Sequence, residues 1–290
     1  MKFPFQNVAL IGKHKAPEIA GALLSLAAFL SGRGLNIVVD SLTAEQIESS
    51  DYPAMSLGEM AHAVDLAIVI GGDGTMLNIA RTLSPHQIPL IGVNQGRLGF
   101  LTDLTLENMQ DSMAAMLDGE FITEQRLLLS ARVLRGDVEV FSGLAFNEVA
   151  VHRNHASSMV EFEVRVDGEY LYNQRADGLI VATPTGSTAY AMSAGGPILH
   201  PSLDVIELVP VCPHTLSNRP IVVKGSSVLE ILMHRTGDIR VRFDSHTNYD
   251  LELHDKIIVT RHPELACLLH PVGHSYYHTL REKLLWNQTL

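Results

Sequence analysis

Up to about residue 120 the chain sets short apolar runs against stretches whose apolar positions recur every three or four residues. The runs are NVALIG (7–12), LNIVVD (35–40), LAIVIGG (66–72) and IPLIGVN (88–94); the helical stretches are 17–32, 57–64, 75–82 and 106–118. Continuous apolar runs suit strands covered on both faces, and the alternation predicts an α/β N-terminal domain, residues 1–120, around a parallel, Rossmann-like sheet. In 17–32, Pro17 and Glu18 suit a first helical turn, and Ile19, Leu23, Leu26 and Leu30 form the stripe that covers the sheet. Past Phe121 the period falls to two. Leu127, Leu129, Ala131 and Val133 alternate with other residues, as do Val160, Phe162, Val164 and Val166, and Ile239, Val241 and Phe243. That rhythm predicts a β-rich C-terminal domain over 121–274, with the Asp-Gly of VDGEY (166–170) turning a hairpin. A last helix, 275–286, starts at Ser275 as N-cap and carries Tyr276, Leu280 and Leu284 on one face. Residues 275–290 are expected to pack back on the N-terminal domain.

Composition narrows the function. A net charge of −11 over 290 residues argues against a protein that tracks nucleic-acid phosphates. The segment AGALLSLAAFL (20–30) resembles a signal-peptide core but follows a strand, and no run reaches the roughly 20 apolar residues of a membrane span. Cys212 and Cys267 form no C-x-x-C, which fits a reduced, cytoplasmic setting. His270, His274 and His278 are spaced by four, and His152 with His155 makes an H-x-x-H. Pro271 and Gly273 break the first set and neither shows a carboxylate partner, so no metal is assigned to protein side chains.

Three stretches carry candidate chemistry. In IVIGGDGTML (68–77) a strand delivers Gly71, Gly72, Asp73, Gly74 and Thr75 to the carboxyl edge of the sheet, where ligands of open α/β sheets bind. Glycines there let the backbone approach phosphate and adopt positive φ. Asp73 either caps the helix that follows or serves chemistry on a polyphosphate, as a base or beside a metal. There is no G-x-x-x-x-G-K-[ST] and no G-x-G-x-x-G, so the usual nucleotide fingerprints are missing. In RADGLIVATPTGSTAYAMSAGGPILHP (175–201) the hydroxyls of Thr183, Thr185, Ser187 and Thr188 follow a buried strand. They form either an ordinary turn and cap or a pocket for ribose, phosphate or base. In FNEVAVHR (146–153) Asn147 and Glu148 interrupt a strand pattern, either as a tolerated hairpin edge or as an amide and acid gripping a ribose diol.

Taken together, GGDGTML, IGVNQGRLGFLTDL, NEVAVHR, DGLIVATPTGSTAYAMSAGGPILHPSL and PHTLSNRPIVV resemble the bacterial type of NAD kinase, in order and approximate spacing over nearly the whole chain. The resemblance implies transfer of the γ-phosphoryl of ATP to the 2′-hydroxyl of the adenosine ribose of NAD. It implies Asp73 as general base with Gly74 shaping its contact, and Asn147 and Glu148 as the NAD-binding pair. It implies NAD-pocket positions at Asp177 and at Thr188, Ala189, Tyr190, Ala191, Met192 and Ser193, with Arg175 beside them. Ser158 and His246 fall where substrate contacts vary. Mg²⁺ or another divalent cation, ATP as donor and a homodimer or homotetramer are implied as well. A lipid or sugar kinase shares the G-G-D-G turn but not the DGLIVATPTGSTAY block, and a non-catalytic NAD(P) sensor has no need of Asp73.

Overall fold

The four apolar runs form the middle of a single sheet, as their burial on both faces requires. The structure, a computed structural model, describes residues 5–47, 51–96, 98–153, 159–215, 217–235, 238–244 and 246–286. It divides into two units, Met1–Gln125 with Ala266–Leu290, and Arg126–Leu265.

In the first unit the strand order is Ala54–Met55, Asn36–Asp40, Asn7–Gly12, Leu66–Gly71, Leu90–Asn94, Ala266–Pro271 and Phe121–Arg126, with Leu104–Thr105 also on Leu90–Asn94. The central pairs are parallel, and Leu66–Gly71 is buried at every position. Leu23, Leu26 and Leu30 of the helix Ala20–Gly32 pack on Val8, Leu10, Ile37 and Ile68. Each such side chain contributes about 1.5–3 kcal/mol by leaving water. A helix the periodicity does not announce, Ser41–Ile47, starts directly where a strand ends. Its signal is the buried Asp40, whose carboxylate accepts from the amide and hydroxyl of Thr43. The last helix, Tyr276–Leu284, has Ser275 as N-cap accepting from the amide of His278, and it belongs to this unit.

Two segments assigned by rhythm to the β-rich part pair elsewhere: Phe121–Arg126 and Ala266–Pro271 close the first sheet. A period of two identifies a strand but not its neighbours, so the β-rich unit is Arg126–Leu265 rather than 121–274.

That unit holds two six-stranded sheets. One runs Ile221–Lys224, Val205–Val211, Gly178–Ala182, Glu148–Arg153, Ile239–Phe243 and Thr247–Asp250. The other runs Glu169–Ala176, Val160–Val166, Leu229–Arg235, Lys256–Arg261, Leu129–Arg135 and Val138–Ala145. Their inner faces share a core in which Val149, Val151, Val181 and Val241 meet Val133, Phe162, Ile231 and Val259. The hairpin at 166–169 turns through Asp167 (φ 54°) and Gly168 (φ 83°), as a two-residue turn of this hand requires. Because side chains alternate, Glu148, Ala150 and His152 point to the outer face of the first of these sheets, away from that core. Among the described residues no helix is long and apolar enough to cross a membrane.

Candidate active site

The glycine loop ends the strand Leu66–Gly71 and leads straight into the helix Asp73–Leu83. Gly72 is the N-cap in extended backbone, and neither it nor Gly71 or Gly74 has positive φ. Within the protein only Gly71 is needed for room, since a Cβ there would meet Thr75 Oγ1 at 2.7 Å; those of Gly72 and Gly74 would enter open space, which their lack of a side chain leaves clear. An anion can therefore approach the first turn of this helix, where amides point outward.

Asp73 does not cap its helix. Its Oδ2 accepts from the amide of Phe100 (3.0 Å) and its Oδ1 from that of Leu101 (2.9 Å). The carboxylate thus ties the helix start to the segment after Leu90–Asn94. That segment is held by Asn94, whose amide donates to Thr102 Oγ1 (2.7 Å) and whose Oδ1 accepts from Gly96 N (2.7 Å). Gly99 packs directly on the acid, for a Cβ there would lie 2.3 Å from Asp73 Oδ1. Each carboxylate oxygen retains a second lone pair beyond its amide bond.

In the β-rich unit, Asn147 and Glu148 are clamped from two sides. Asp244, itself at φ 47°, accepts from the amides of Phe146 (2.7 Å), Asn147 (2.7 Å) and Glu148 (3.1 Å). Opposite, Thr183 gives its hydroxyl to Phe146 O (2.7 Å) and its amide to Asn147 O (2.8 Å). A Cβ on Gly186 would lie 2.2 Å from Asn147 O, so this turn fits only with glycine there. The hydroxyls of 183–188 are turned inward: Ser187 bonds Pro184 O and Leu199 N, Thr188 bonds Thr185 O, and Thr185 accepts from Arg126. Thr183, Thr185 and Ser187 are thus buried and committed to the turn, which serves as a clamp, while Thr188 stays part-exposed.

The cavity lies beside this clamp. About 190 Å³ in volume, it is lined by Glu148, Ala150, His152, Tyr190 and Arg242. Glu148 is 5% exposed, and its Oε2 has no hydrogen-bond partner among the described residues. Burial, and then the charge of Asp244, push its pKa up to about 7. His152 spends Nδ1 on Arg153 O while Nε2 is buried with no hydrogen-bond partner among the described residues, and burial lowers its pKa. Tyr190 is half-exposed, and burial raises its pKa, with Cys212, Glu148 and Asp177 adding to the effect and Arg242 opposing it. An acceptor, a guanidinium and an aromatic face thus converge, a set suited to a nucleoside.

The structure puts Glu148 and Tyr190 on one cavity, with Asn147 next to Glu148 in the chain and Ala191 buried against Ile180 and Ala182. Thr188 and Ala189 lead into the short helix Tyr190–Ser193, on which Met192 is half-buried and Ser193 exposed. Asp177 pairs with Arg153 (3.1 Å). Arg175 is set apart: it sits in the other sheet, exposed, with Nε on its cross-strand neighbour Glu161 (2.9 Å). His246 is exposed in the turn after Phe243. Ser158, and His155 of the H-x-x-H, lie outside the described residues. Sequence reasoning misses Gly99, Thr102, Asp244, Arg242 and His152 as parts of these sites. Of these, only the G-F-L-T-D-L and F-D-S-H-T stretches carried a local signal. It also misses carboxylates for His270, which contacts both Asp103 and Glu124.

Residues 8–121 match the family model described as the ATP-NAD kinase N-terminal domain, and 146–270 that of the ATP-NAD kinase C-terminal domain. The NAD kinase of Nitrosospira multiformis is 59% identical over 287 residues, 99% of this chain and 98% of its own. That of Thiobacillus denitrificans is 48% identical over 290 residues, all of both chains. Among solved structures, yeast NADH kinase complexed with NADH matches with a TM-score of 0.90 at 26% identity, covering 99% of this chain and 89% of its own. An NAD kinase from Archaeoglobus fulgidus in complex with ATP matches with a TM-score of 0.73 at 26% identity, covering 97% and 98%.

Proposed function

The chain belongs to the NAD kinase family, and from that premise we propose how its residues divide the phosphorylation of NAD by ATP. The acceptor is the 2′-hydroxyl of the adenosine ribose. The polyphosphate approaches the open Gly72 and Gly74 at the start of the helix Asp73–Leu83, where amides and helix dipole favour negative charge. Asp73 takes the proton of the attacking hydroxyl on a lone pair left free by its two amide bonds. The hydroxyl oxygen forms a bond to the γ-phosphorus, the bond from that phosphorus to the bridging oxygen breaks, and ADP leaves. Mg²⁺ or another divalent cation, held on the phosphates of ATP, would neutralise their charge. The residues fit that arrangement, since the loop Gly71–Thr75 carries the single carboxylate of Asp73, which the proton transfer uses, and the phosphates themselves would supply the oxygens for the ion.

In the β-rich unit, Glu148 accepts from a ribose diol, the Asn147 amide adds a mixed donor and acceptor, and Tyr190 offers a flat ring. Asp177 and the Thr188–Ser193 segment complete the NAD-binding set, whereas the ion pair of Arg175 with Glu161 speaks for a peripheral role. A homodimer or homotetramer in the cytoplasm belongs to the same reading; the free Cys212 and Cys267 agree with a reducing setting.

The observation that carries the reading is the placement of Asp73: an acid at a helix start open to anions, oriented by two amides yet not capping its own helix. The test is NADP formation from ATP, Mg²⁺ and NAD, followed with an NADP-specific dehydrogenase. Asp73→Asn should lower kcat by about 10²- to 10⁴-fold while NAD still binds. Near-full activity in the variant would leave Asp73 as a structural tie only.

A further inference from the structure

The last strand of the first sheet and the lead-in to the last helix bring two histidines to an aspartate. Asp103 precedes Leu104–Thr105, His270 lies in Ala266–Pro271 and is 2% exposed, and His274 lies in the turn before Tyr276–Leu284. Nδ1 of His270 and Nδ1 of His274 both face Asp103 Oδ2, the latter at 3.2 Å. The imidazoles are stacked, with centroids 4.1 Å apart and planes 14° from parallel, which puts their two Nδ1 atoms side by side along the Asp103 carboxylate. One ligand atom from each residue lies within 4.8 Å of the others. Bonds of about 2.0–2.2 Å to a tetrahedral ion hold ligand atoms roughly 3.3–3.6 Å apart, so side-chain shifts of about 1 Å separate this set from a coordinated one.

Two further observations favour an ion over hydrogen bonding alone. Glu124 Oε2 lies 3.0 Å from Nε2 of His270. That contact is an ion-pair distance rather than an aligned hydrogen bond, but a carboxylate on this side favours the proton on Nε2 and leaves the Nδ1 lone pair for a metal, the carboxylate–histidine–metal arrangement. In addition, Asp103 Oδ1 is buried with no hydrogen-bond partner among the described residues, and Asp103 Oδ2 is crowded by two ring nitrogens. Two imidazoles and one carboxylate suit Zn²⁺ and its first-row neighbours, whereas Mg²⁺ prefers oxygen and water.

We propose that Asp103, His270 and His274 bind one first-row divalent transition-metal ion of the Zn²⁺ type, with Glu124 as the outer partner of His270. The ion would pin the returning strand and the start of the last helix to the 99–103 segment. It is separate in place and chemistry from the cation that travels with ATP.

The test uses the full-length protein, stripped with a chelator, without nucleotide. Co²⁺, a spectroscopic stand-in, should bind one per chain with visible d–d absorption that Zn²⁺ removes and millimolar Mg²⁺ does not. Zn²⁺ at about 100 times its Kd should raise Tm by roughly 5 °C or more. His274→Gln and Asp103→Asn should weaken binding at least tenfold and remove most of the Tm rise. Glu124→Gln should weaken binding by about 10- to 100-fold. The exposed His278→Gln should change nothing. If Asp103→Asn fails to fold, His274→Gln decides, since its ring is nearer the surface. No stoichiometric ion, or undiminished binding in His274→Gln, overturns the proposal. Neither result touches the assignment of Asp73.

Discussion

Gly99→Ala adds a single methyl group and should nevertheless remove most of the activity. Its Cβ would sit 2.2 Å from Thr102 Oγ1, 2.3 Å from Asp73 Oδ1 and 3.0 Å from Asp73 Cγ. Ordinary carbon–oxygen contact needs roughly 1 Å more. Either the Asp73 carboxylate or the backbone of the segment must therefore retreat by about that much. The carboxylate is tethered to the amides of Phe100 and Leu101, and Thr102 is tethered to Asn94, so neither moves freely. A catalytic group displaced by about 1 Å costs on the order of 10²-fold, or about 2.7 kcal/mol on the barrier. Overpacking itself should cost about 1–3 kcal/mol of stability. The assay is steady-state NADP formation, with folding followed by circular dichroism and Tm. The expected result is kcat down by about 10²-fold with KM for NAD within about threefold, because Asn147, Glu148 and Tyr190 belong to the other unit. Gly21→Ala is the control: no atom lies within 4 Å of its Cβ, and alanine in a helix should add up to about 1 kcal/mol of stability without changing kcat. A folded Gly99→Ala enzyme with kcat within about threefold of the parent refutes the reasoning, since the acid would not need its present place.

Other outcomes follow from the buried carboxylates. Glu148 has its pKa raised to about 7 and is ionised above it, so kcat/KM for NAD should rise with pH through about 7; Glu148→Gln should lower kcat/KM and flatten that step. The charge of Asp244 contributes to the shift, so Asp244→Asn should move the midpoint below 7. It should also cost about 1–3 kcal/mol, because one of three buried amides loses its acceptor; an unmoved midpoint would assign the shift to burial alone. Glu207 is fully buried, its oxygens have no hydrogen-bond partner among the described residues, and burial pushes its pKa up to about 8. Folded protein keeps this proton where the unfolded chain releases it, so its contribution is full below about pH 4 and is lost as pH rises to about 8. Glu207→Gln should therefore gain stability over the parent between pH 5 and pH 8, by up to about 4 kcal/mol in denaturant unfolding. A difference that does not change with pH would show that Glu207 keeps no proton.

Asp73 illustrates how far local pattern reaches. GGDGTML places an acid at a strand end and a helix start, and both are observed. That this acid ties down another segment instead of capping its own helix depended on Phe100 and Leu101, which donate from 27 and 28 residues away. The four hydroxyls of 183–188 show the opposite case. Their composition suits a pocket, but Phe146, Arg126, Leu199 and the turn's own carbonyls take them up as structural partners. Arg175 lies two residues before Asp177, yet a strand change puts it in another sheet.

What the sequence by itself determined is what depends on neighbours in the chain: the parallel strands and their helices, the change of period past Phe121, the turn at Asp167 and Gly168, the cap at Ser275, and the ordered motifs that identify the family. Periodicity and turn chemistry act over a few residues, so a linear reading captures them. Only the tertiary structure decided which strands share a sheet, that Ala266–Pro271 returns to the first unit, that Gly99 abuts Asp73, and that Asp244 orders Asn147 and Glu148. It also brought Asp103 to His270 across 167 positions. These contacts are set by packing and by the need to satisfy buried polar groups, and both depend on what the fold brings near rather than on what the chain places next.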